Sequence, residues 1–170
     1  MEDKQEHKDE ALKLQLDRLE AVRKLQLKAN MALRKLAESE EHKELVCILL
    51  SVPGIGTITA MLLISELIDM KRFSSFDKLC SYVGYIPTTN ASGDKENRGH
   101  LTKRCNSRIR SALIESSWVA VRNDQALLMK FETLKKRMTG QEAIVRIARI
   151  LLSRIRNIWL NEHRYQMGIT

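Results

Sequence analysis

The sequence predicts an all-α protein: a long amino-terminal coiled-coil helix followed by a compact helical domain containing a helix-hairpin-helix. Three observations predict it. Hydrophobic residues fill 44% of the 170 positions but aromatics only 5%, so the core must be built from Leu, Ile, Val and Ala. Only two prolines and seven glycines interrupt long charged runs, too few for a turn-rich β protein. Apolar residues near both ends of the chain recur three and four positions apart, the period of an amphipathic helix.

The first element runs from about residue 10 to 45. Leu12, Leu16, Leu19, Val22, Ala29, Leu33 and Leu36 form a narrow stripe separated by Lys, Arg, Glu and Gln. A stripe that narrow buries itself only against another helix, so a coiled coil and a homo-oligomer are expected, with a solvent-bridging helix as the alternative. Leu25 and Leu27 fall off the stripe and allow more than two helices. Residues 1–45 are assigned to dimerisation, 46–163 to a helical domain and 164–170 to a tail.

Within the domain, helix from Glu44 to Ser51 stops at Val52-Pro53-Gly54-Ile55-Gly56, and Thr57 is expected to cap a second apolar helix, Ile58 to Asp69. This has the pattern of a helix-hairpin-helix over about residues 45–69. Glycines there let backbone N–H groups approach a phosphate, and the following helix turns its positive end to the same anion. Gly54, Gly56 and Thr57 are therefore candidate DNA-backbone contacts; a tight turn with no ligand is the alternative. Ser74-Ser75 is expected to cap a helix from Phe76 to Val83. Residues Ile86 to Leu101 read as a long polar loop, and Thr102 as the cap of a helix from Lys103 to Arg122 in which Ile109, Leu113, Ser116 or Ser117, and Val121 face inward. Two further helices are expected, about Asp124 to Met138 and Gln141 to Glu162. The last places Ile144, Ile147, Ala148, Leu151, Leu152, Ile155, Ile158 and Trp159 on one face. Its Arg146, Arg149, Arg154 and Arg156 either line DNA or solvate the outer face.

Charge is unevenly placed. The net charge is +8, with 29 Lys+Arg and 21 Asp+Glu. Residues 1–50 hold 10 basic and 11 acidic side chains, which leaves 19 and 10 for the rest. A polyanion partner for the second part follows, against the plainer reading of a basic domain without one. Cys47, Cys80 and Cys105 are odd in number and lack CxxC spacing, so neither disulfides nor a zinc site is indicated. The charged amino terminus lacks a signal-peptide pattern, and the apolar stretch Ile58–Ile68 is too short for a bilayer. A reducing cytosol and no membrane partner are expected.

The chemistry centres on Ser92-Gly93-Asp94-Lys95, followed by Arg98, Gly99, His100, Thr102-Lys103-Arg104-Cys105-Asn106, Arg108 and Arg110. An exposed hydroxyl, a bendable backbone and clustered cations are what phosphodiester transfer requires. Lys103, Arg104, Arg108 and Arg110 are candidates to spread phosphorane charge, arginine best because its fork grips two oxygens. Asn106 either donates to a phosphate or caps the loop. His100 reads as incidental, and Glu66 and Asp69 as solvated or salt-bridged rather than as ligands.

Together, the Val-Pro-Gly-Ile-Gly turn, Phe76-Asp77-Lys78-Leu79, Tyr82-Val83-Gly84-Tyr85-Ile86-Pro87 and the Ser92-to-Arg110 set resemble the carboxy-terminal domain of the insertion-sequence 110/116/902 transposases. The likeness covers about residues 45 to 160, and the preceding helix also looks like that family's coiled coil. The resemblance implies a prokaryotic, nucleoid-associated DNA recombinase. It makes Ser92 the nucleophile of a phosphoserine–DNA intermediate, with Lys95, Arg98, Lys103, Arg104, Asn106, Arg108 and Arg110 on the DNA. It also implies a structured RNA as a partner of some members, and Mg2+ held by a carboxylate domain that would precede residue 1. This chain alone is then expected to bind DNA without cleaving it. The alternative is a non-catalytic DNA-binding or dimerisation module, inhibitory to full-length transposase. Cys105 departs from the family pattern, which has glycine before the asparagine, and is expected to narrow the approach of DNA.

Overall fold

A computed structural model describes the backbone of residues 2–91, 96–101 and 105–167, and the side chains of 9–86 and 105–167. Seven α-helices follow one another among the described residues: α1 (Glu2–Ala37), α2 (Lys43–Leu50), α3 (Thr57–Leu67), α4 (Phe76–Val83), α5 (Ser107–Asn123), α6 (Gln125–Lys135) and α7 (Gly140–Asn161). A 3-10 turn, Met70–Arg72, separates α3 from α4. The protein is all-α, as its composition requires.

Helix α7 is the axis of the core. Its Ala143, Ile144, Ile147, Ala148, Leu151, Leu152, Ile155 and Ile158 are buried, the face expected from the 3.6-residue period. Helices α2, α4, α5, α6 and the 3-10 turn all pack on it. The start of α7 is set locally by a capping box: Glu142 N–H donates to Thr139 Oγ1 (3.3 Å) and Thr139 N–H to Glu142 Oε2 (3.0 Å). Helix α4 begins where Ser75 predicts, with Ser75 Oγ accepting the Lys78 N–H. On α5, Ile109, Leu113, Ser116, Ser117 and Val121 face inward, as expected.

Three expectations change. The long first helix is broken at residues 38–42. Ser39 Oγ donates to the Leu36 carbonyl (2.7 Å), and the Lys43 N–H donates to Ser39 O. Glu40, Glu41 and Glu44 then complement the positive end of α2, and Ala37 is buried against the domain. Helix α5 starts at Ser107 rather than Lys103, because the cap is Asn106, whose Oδ1 accepts the Ile109 N–H at 3.1 Å. Thr102, the expected cap, lies outside the described residues. The segment read as a polar loop contains two strands, β1 (Pro87–Ala91) and β2 (Glu96–Leu101), paired antiparallel from Pro87↔Leu101 to Ala91↔Glu96. The register shifts between Pro87 and Thr89. Neither strand shows alternation of apolar and polar residues, the signal by which strands are read from sequence.

The end of the chain is tied to the core through Asp124, which caps α6. Its Oδ1 accepts the N–H groups of Ala126 (2.9 Å) and Leu127 (3.3 Å). Its Oδ2 accepts Arg154 Nη1 (3.0 Å) and the Tyr165 hydroxyl. The Tyr165 N–H donates across to Ser51 Oγ at 2.8 Å. Burial pushes the Asp124 carboxyl up, but the Tyr165 hydroxyl, the two N–H groups and Arg154 outweigh it and hold it below its ordinary 3.8. Burial and the Asp124 carboxylate push the Tyr165 phenol up to about 12.

The folded chain therefore holds Asp124 ionised more firmly than the unfolded chain does. That contribution is present above about pH 4 and is lost as acid titrates the group below it. Asp124→Asn is expected to cost about 3 kcal/mol by leaving Arg154 without its charge partner. It is also expected to flatten the acid limb of stability against pH, measured by urea unfolding across that range.

Candidate nucleic-acid interface

Helices α3 and α5 pack antiparallel, and contacts at the two ends of α3 fix the pair. At the amino-terminal end, Gly54 has φ +86, and a Cβ there would stand 2.2 Å from the Ser116 carbonyl oxygen of α5. Glycine is thus required twice, by its backbone angle and by the close approach. Val52 and Ile55 are buried on either side. Gly56, rather than the expected Thr57, is the N-cap of α3, because Thr57 already sits inside the helix and lends it no side-chain cap. The turn faces outward through exposed Gly56 and half-buried Thr57. The first turn of α3 has neither a side-chain cap nor an acidic residue, so its N–H groups point outward without an internal anion.

At the carboxy-terminal end, Glu66 reaches the start of α5. Its Oε2 accepts the Asn106 amide Nδ2 at 2.7 Å, and its Oε1 accepts Arg108 Nη1 at 3.3 Å. The Tyr82 hydroxyl donates to the Glu66 carbonyl at 3.1 Å. The Asn106 N–H donates to Tyr82 O (2.8 Å), and the Tyr85 hydroxyl to Arg110 O (3.2 Å). Both chain segments flanking the β1–β2 hairpin are thereby fastened to α4 and α5. Burial of Tyr85 raises its phenol above the ordinary value, so it stays a neutral donor. Gly84, at φ +88, ends α4 in the left-handed region. A Cβ there would meet the Cys105 Cβ at 2.6 Å and Sγ at 2.7 Å. Cys105 therefore lies against the end of α4.

The structure thus brings Asn106, Arg108 and Arg110 together on the start of α5, and sets Gly54, Gly56 and Thr57 at the far end of α3, about 15 Å away by helix rise. Asn106 is already engaged, as cap and as Glu66 partner, whereas the Arg108 side chain remains 79% exposed beside its ion pair. Ser92, Lys95, Lys103 and Arg104 lie outside the described residues, as do the side chains of Arg98 and His100. Glu66 is salt-bridged as expected, and Asp69 caps the 3-10 turn through the Lys71 N–H. Three of the four arginines on α7 have partners within the chain, although Arg149 and its partner Asp77 stay 42% and 77% exposed. Arg149 pairs with Asp77 (3.1 Å), Arg154 with Asp124, and Arg156 donates to Phe73 O (3.4 Å). Arg146 remains exposed. Glu66 as organiser of the α5 start was not visible in the sequence, because its partners lie 40 and 42 positions away.

Residues 46–132, from α2 into α6, match the Transposase IS116/IS110/IS902 family. The chain belongs to that family. Over 86 residues this transposase-family chain is 35% identical to the putative transposase y4qE of Sinorhizobium fredii, covering 49% of the chain and 22% of the relative. It is 28% identical over 127 residues to the insertion element IS110 uncharacterized 43.6 kDa protein of Streptomyces coelicolor, covering 72% of the chain and 31% of the relative. A third relative is the transposase for insertion sequence element IS1111A of Coxiella burnetii, 30% identical over 73 residues, covering 43% of the chain and 20% of the relative. The chain thus spans a third or less of the length of these relatives. The family match includes the Gly54 turn, the hairpin and α5. The buried face of α7 lies beyond it.

No helix among the described residues is long and apolar enough to cross a membrane.

Two substitutions separate packing from exposure in the turn. Gly54→Ala is expected to cost about 2–4 kcal/mol, through both the backbone angle and the Ser116 clash. Gly56→Ala, where an added Cβ meets nothing within 4 Å, should stay within about 0.5 kcal/mol. At the other end, Asn106→Ala is expected to cost about 1–2 kcal/mol as a lost cap and hydrogen bond. Arg108→Ala should change stability by less than about 1 kcal/mol. Urea midpoints of the four variants measure the contrasts.

Proposed function

We propose that this chain is the DNA-binding, serine-bearing part of a transposase that cuts and exchanges strands through a phosphoserine–DNA intermediate. One observation supports this most. The four residues containing Ser92 connect two paired strands, Ala91 opposite Glu96, and the segments flanking that hairpin are tied to α4 and α5 through Tyr82, Tyr85 and Asn106. Anchoring the base of the hairpin in this way would hold its connection in register with a bound phosphate.

In this reading the Ser92 hydroxyl attacks phosphorus, the bond from phosphorus to the 3′ oxygen breaks, and the proton lost by serine ends on the departing 3′-hydroxyl. The serine ester retains the 5′ phosphate, and a second 3′-hydroxyl reverses the step to join strands, so bond energy is conserved without ATP. Lys95, Arg98, Lys103, Arg104, Arg108 and Arg110 spread the phosphorane charge. The α3 N–H groups at Gly56 and Thr57 take a backbone phosphate in a helix-hairpin-helix manner. Their distance from the α5 start, about 15 Å, corresponds to about four to five steps of duplex. Carboxylates outside this chain would hold Mg2+, which would supply the charge that eases loss of the serine proton. Among the described residues no group of three or more His, Cys, Asp or Glu side chains is placed to hold a metal. The setting is cytoplasmic, at nucleoid DNA, with a structured RNA as a further partner.

A second reading, an oligomerisation module that draws full-length transposase into mixed assemblies, is favoured by one observation. Leu12, Leu16, Leu19, Val22, Leu25 and Leu27 on α1 are all half or more exposed, the condition of a coiled-coil strand without its partner.

Fluorescence anisotropy on duplex DNA across a salt series tests binding. Engagement of about five phosphates gives a log–log slope near −4 or steeper, and a flat response removes the DNA reading. Joined to a carboxylate domain, the Ser92→Ala chain should lose the covalent DNA adduct seen on denaturing gels while binding within about twofold of wild type. Adduct formation by that variant excludes Ser92 as the nucleophile.

A further inference from the structure

Helix α3 ends in a strained residue with an unusual side chain for its place. Ile68 has φ 60 and ψ −67, and the Asp69 N–H closes onto the Leu67 carbonyl at 2.7 Å. This is the rare γ-turn with positive φ. A β-branched residue is among the least suited to it, because its Cβ crowds the neighbouring carbonyl. The side chain is not buried in compensation. It is 72% exposed, the highest value among the exposed large hydrophobic side chains of the described residues.

The surroundings leave the turn little freedom. Leu67 and Met70 are fully buried on either side. The Leu67 carbonyl also accepts Arg72 Nη1 (3.3 Å), Asp69 Oδ1 accepts the Lys71 N–H (2.8 Å), and the Ile68 N–H itself is held by Ile64 O (2.9 Å). Arg72 in turn lies over the rings of Phe73 and Tyr82, at 4.9 and 5.1 Å. A strained backbone persists only where its neighbours over-determine it in this way. The result is a rigid apolar knob. It stands two residues beyond Glu66, which holds Asn106 and Arg108, and just before Lys71 and Arg72.

We propose that Ile68 is a DNA wedge: its side chain presses into a base step of the duplex whose phosphates the surrounding cations hold. This rests on the DNA-binding reading above. Aliphatic side chains that unstack a base step are effective when stiffly displayed beside cations that draw the backbone in, and flexible pyrimidine–purine steps yield most easily. The charged residues flanking the knob are Lys71, Arg72 and Arg108 against Glu66, which pairs Arg108, and Asp69, which caps the 3-10 turn; the remaining positive excess favours a polyanion over a protein surface as its occupant. The knob also lies at the α5 end of α3, the end to which the hairpin carrying Ser92 is fastened.

The test uses the 170-residue chain and a duplex of about 20 base pairs carrying 2-aminopurine at a central TA step. Ile68→Gly relieves the backbone and removes the wedge together, so its effects have opposite signs. Expected are a rise in melting temperature, affinity about tenfold weaker, loss of the 2-aminopurine fluorescence increase, and an unchanged salt slope, since no phosphate contact is lost. Ile68→Leu, which keeps the apolar bulk, should retain the fluorescence increase. Unchanged affinity and fluorescence in Ile68→Gly overturn the wedge while leaving DNA binding intact. A change in sedimentation without a change in DNA binding assigns the knob to a protein contact and overturns it as well. Failure of the wild-type chain to bind the duplex with a steep salt slope defeats the DNA reading and the wedge together.

Discussion

A missing side chain at Gly54 lets the α2–α3 turn rest on the Ser116 carbonyl of α5, and a carboxylate at Glu66 holds the other end of α3 to the start of the same helix. Between these two contacts α3 is set antiparallel to α5, and the candidate site is arranged along that pair. The outward-facing N–H groups of α3 are at one end. Asn106, Arg108, the flanks of the hairpin and the Ile68 turn are at the other. Because both contacts approach closely, through backbone in one case and charge in the other, small changes in either displace a whole helix rather than a single side chain.

Electrostatics divides along the same lines. The second part of the chain has a large excess of basic residues, but the cations are not equivalent. Arg149, Arg154 and Arg156 serve as structural cross-links from α7 to α4, to the α5–α6 corner and to the segment after the 3-10 turn. Arg108 is an intermediate case, paired yet largely in water, where solvent screening leaves the pair weak and the guanidinium available to a stronger anion. Exposed cations lie after α3 (Lys71, Arg72), at the start of α5 (Arg108), on and after α6 (Lys130, Lys135, Lys136, Arg137) and on α7 (Arg146).

Helix α1 stands apart from this economy of contacts. From residue 9 to 29 every side chain is exposed, while its last two turns dock on α3 through Leu33 and buried Ala37. A 36-residue helix with leucines in water is marginal by itself, and its anchorage to α3 links anything that engages α1 to the helix that organises the site.

The sequence by itself determined the helical class, the buried faces of α5 and α7, and the starts of α4 and α7. Those features depend on residues within about four positions of each other, such as Ser75 with Lys78 or Thr139 with Glu142, so periodicity and capping patterns reveal them. Where local signals competed, sequence reasoning erred: Thr102 and Asn106 are both good caps, and the hairpin strands lack apolar alternation. The resemblance supplied the ordered site motifs, but what their side chains touch was not legible. Only the tertiary structure decided that Asn106 and Arg108 answer to Glu66, that three α7 arginines pair with residues of other elements, and that Ile68 is held strained in solvent. Each of these joins residues 30 to 83 positions apart or follows from neighbours so joined. Such pairings are selected by the packing of whole helices, which no local pattern encodes.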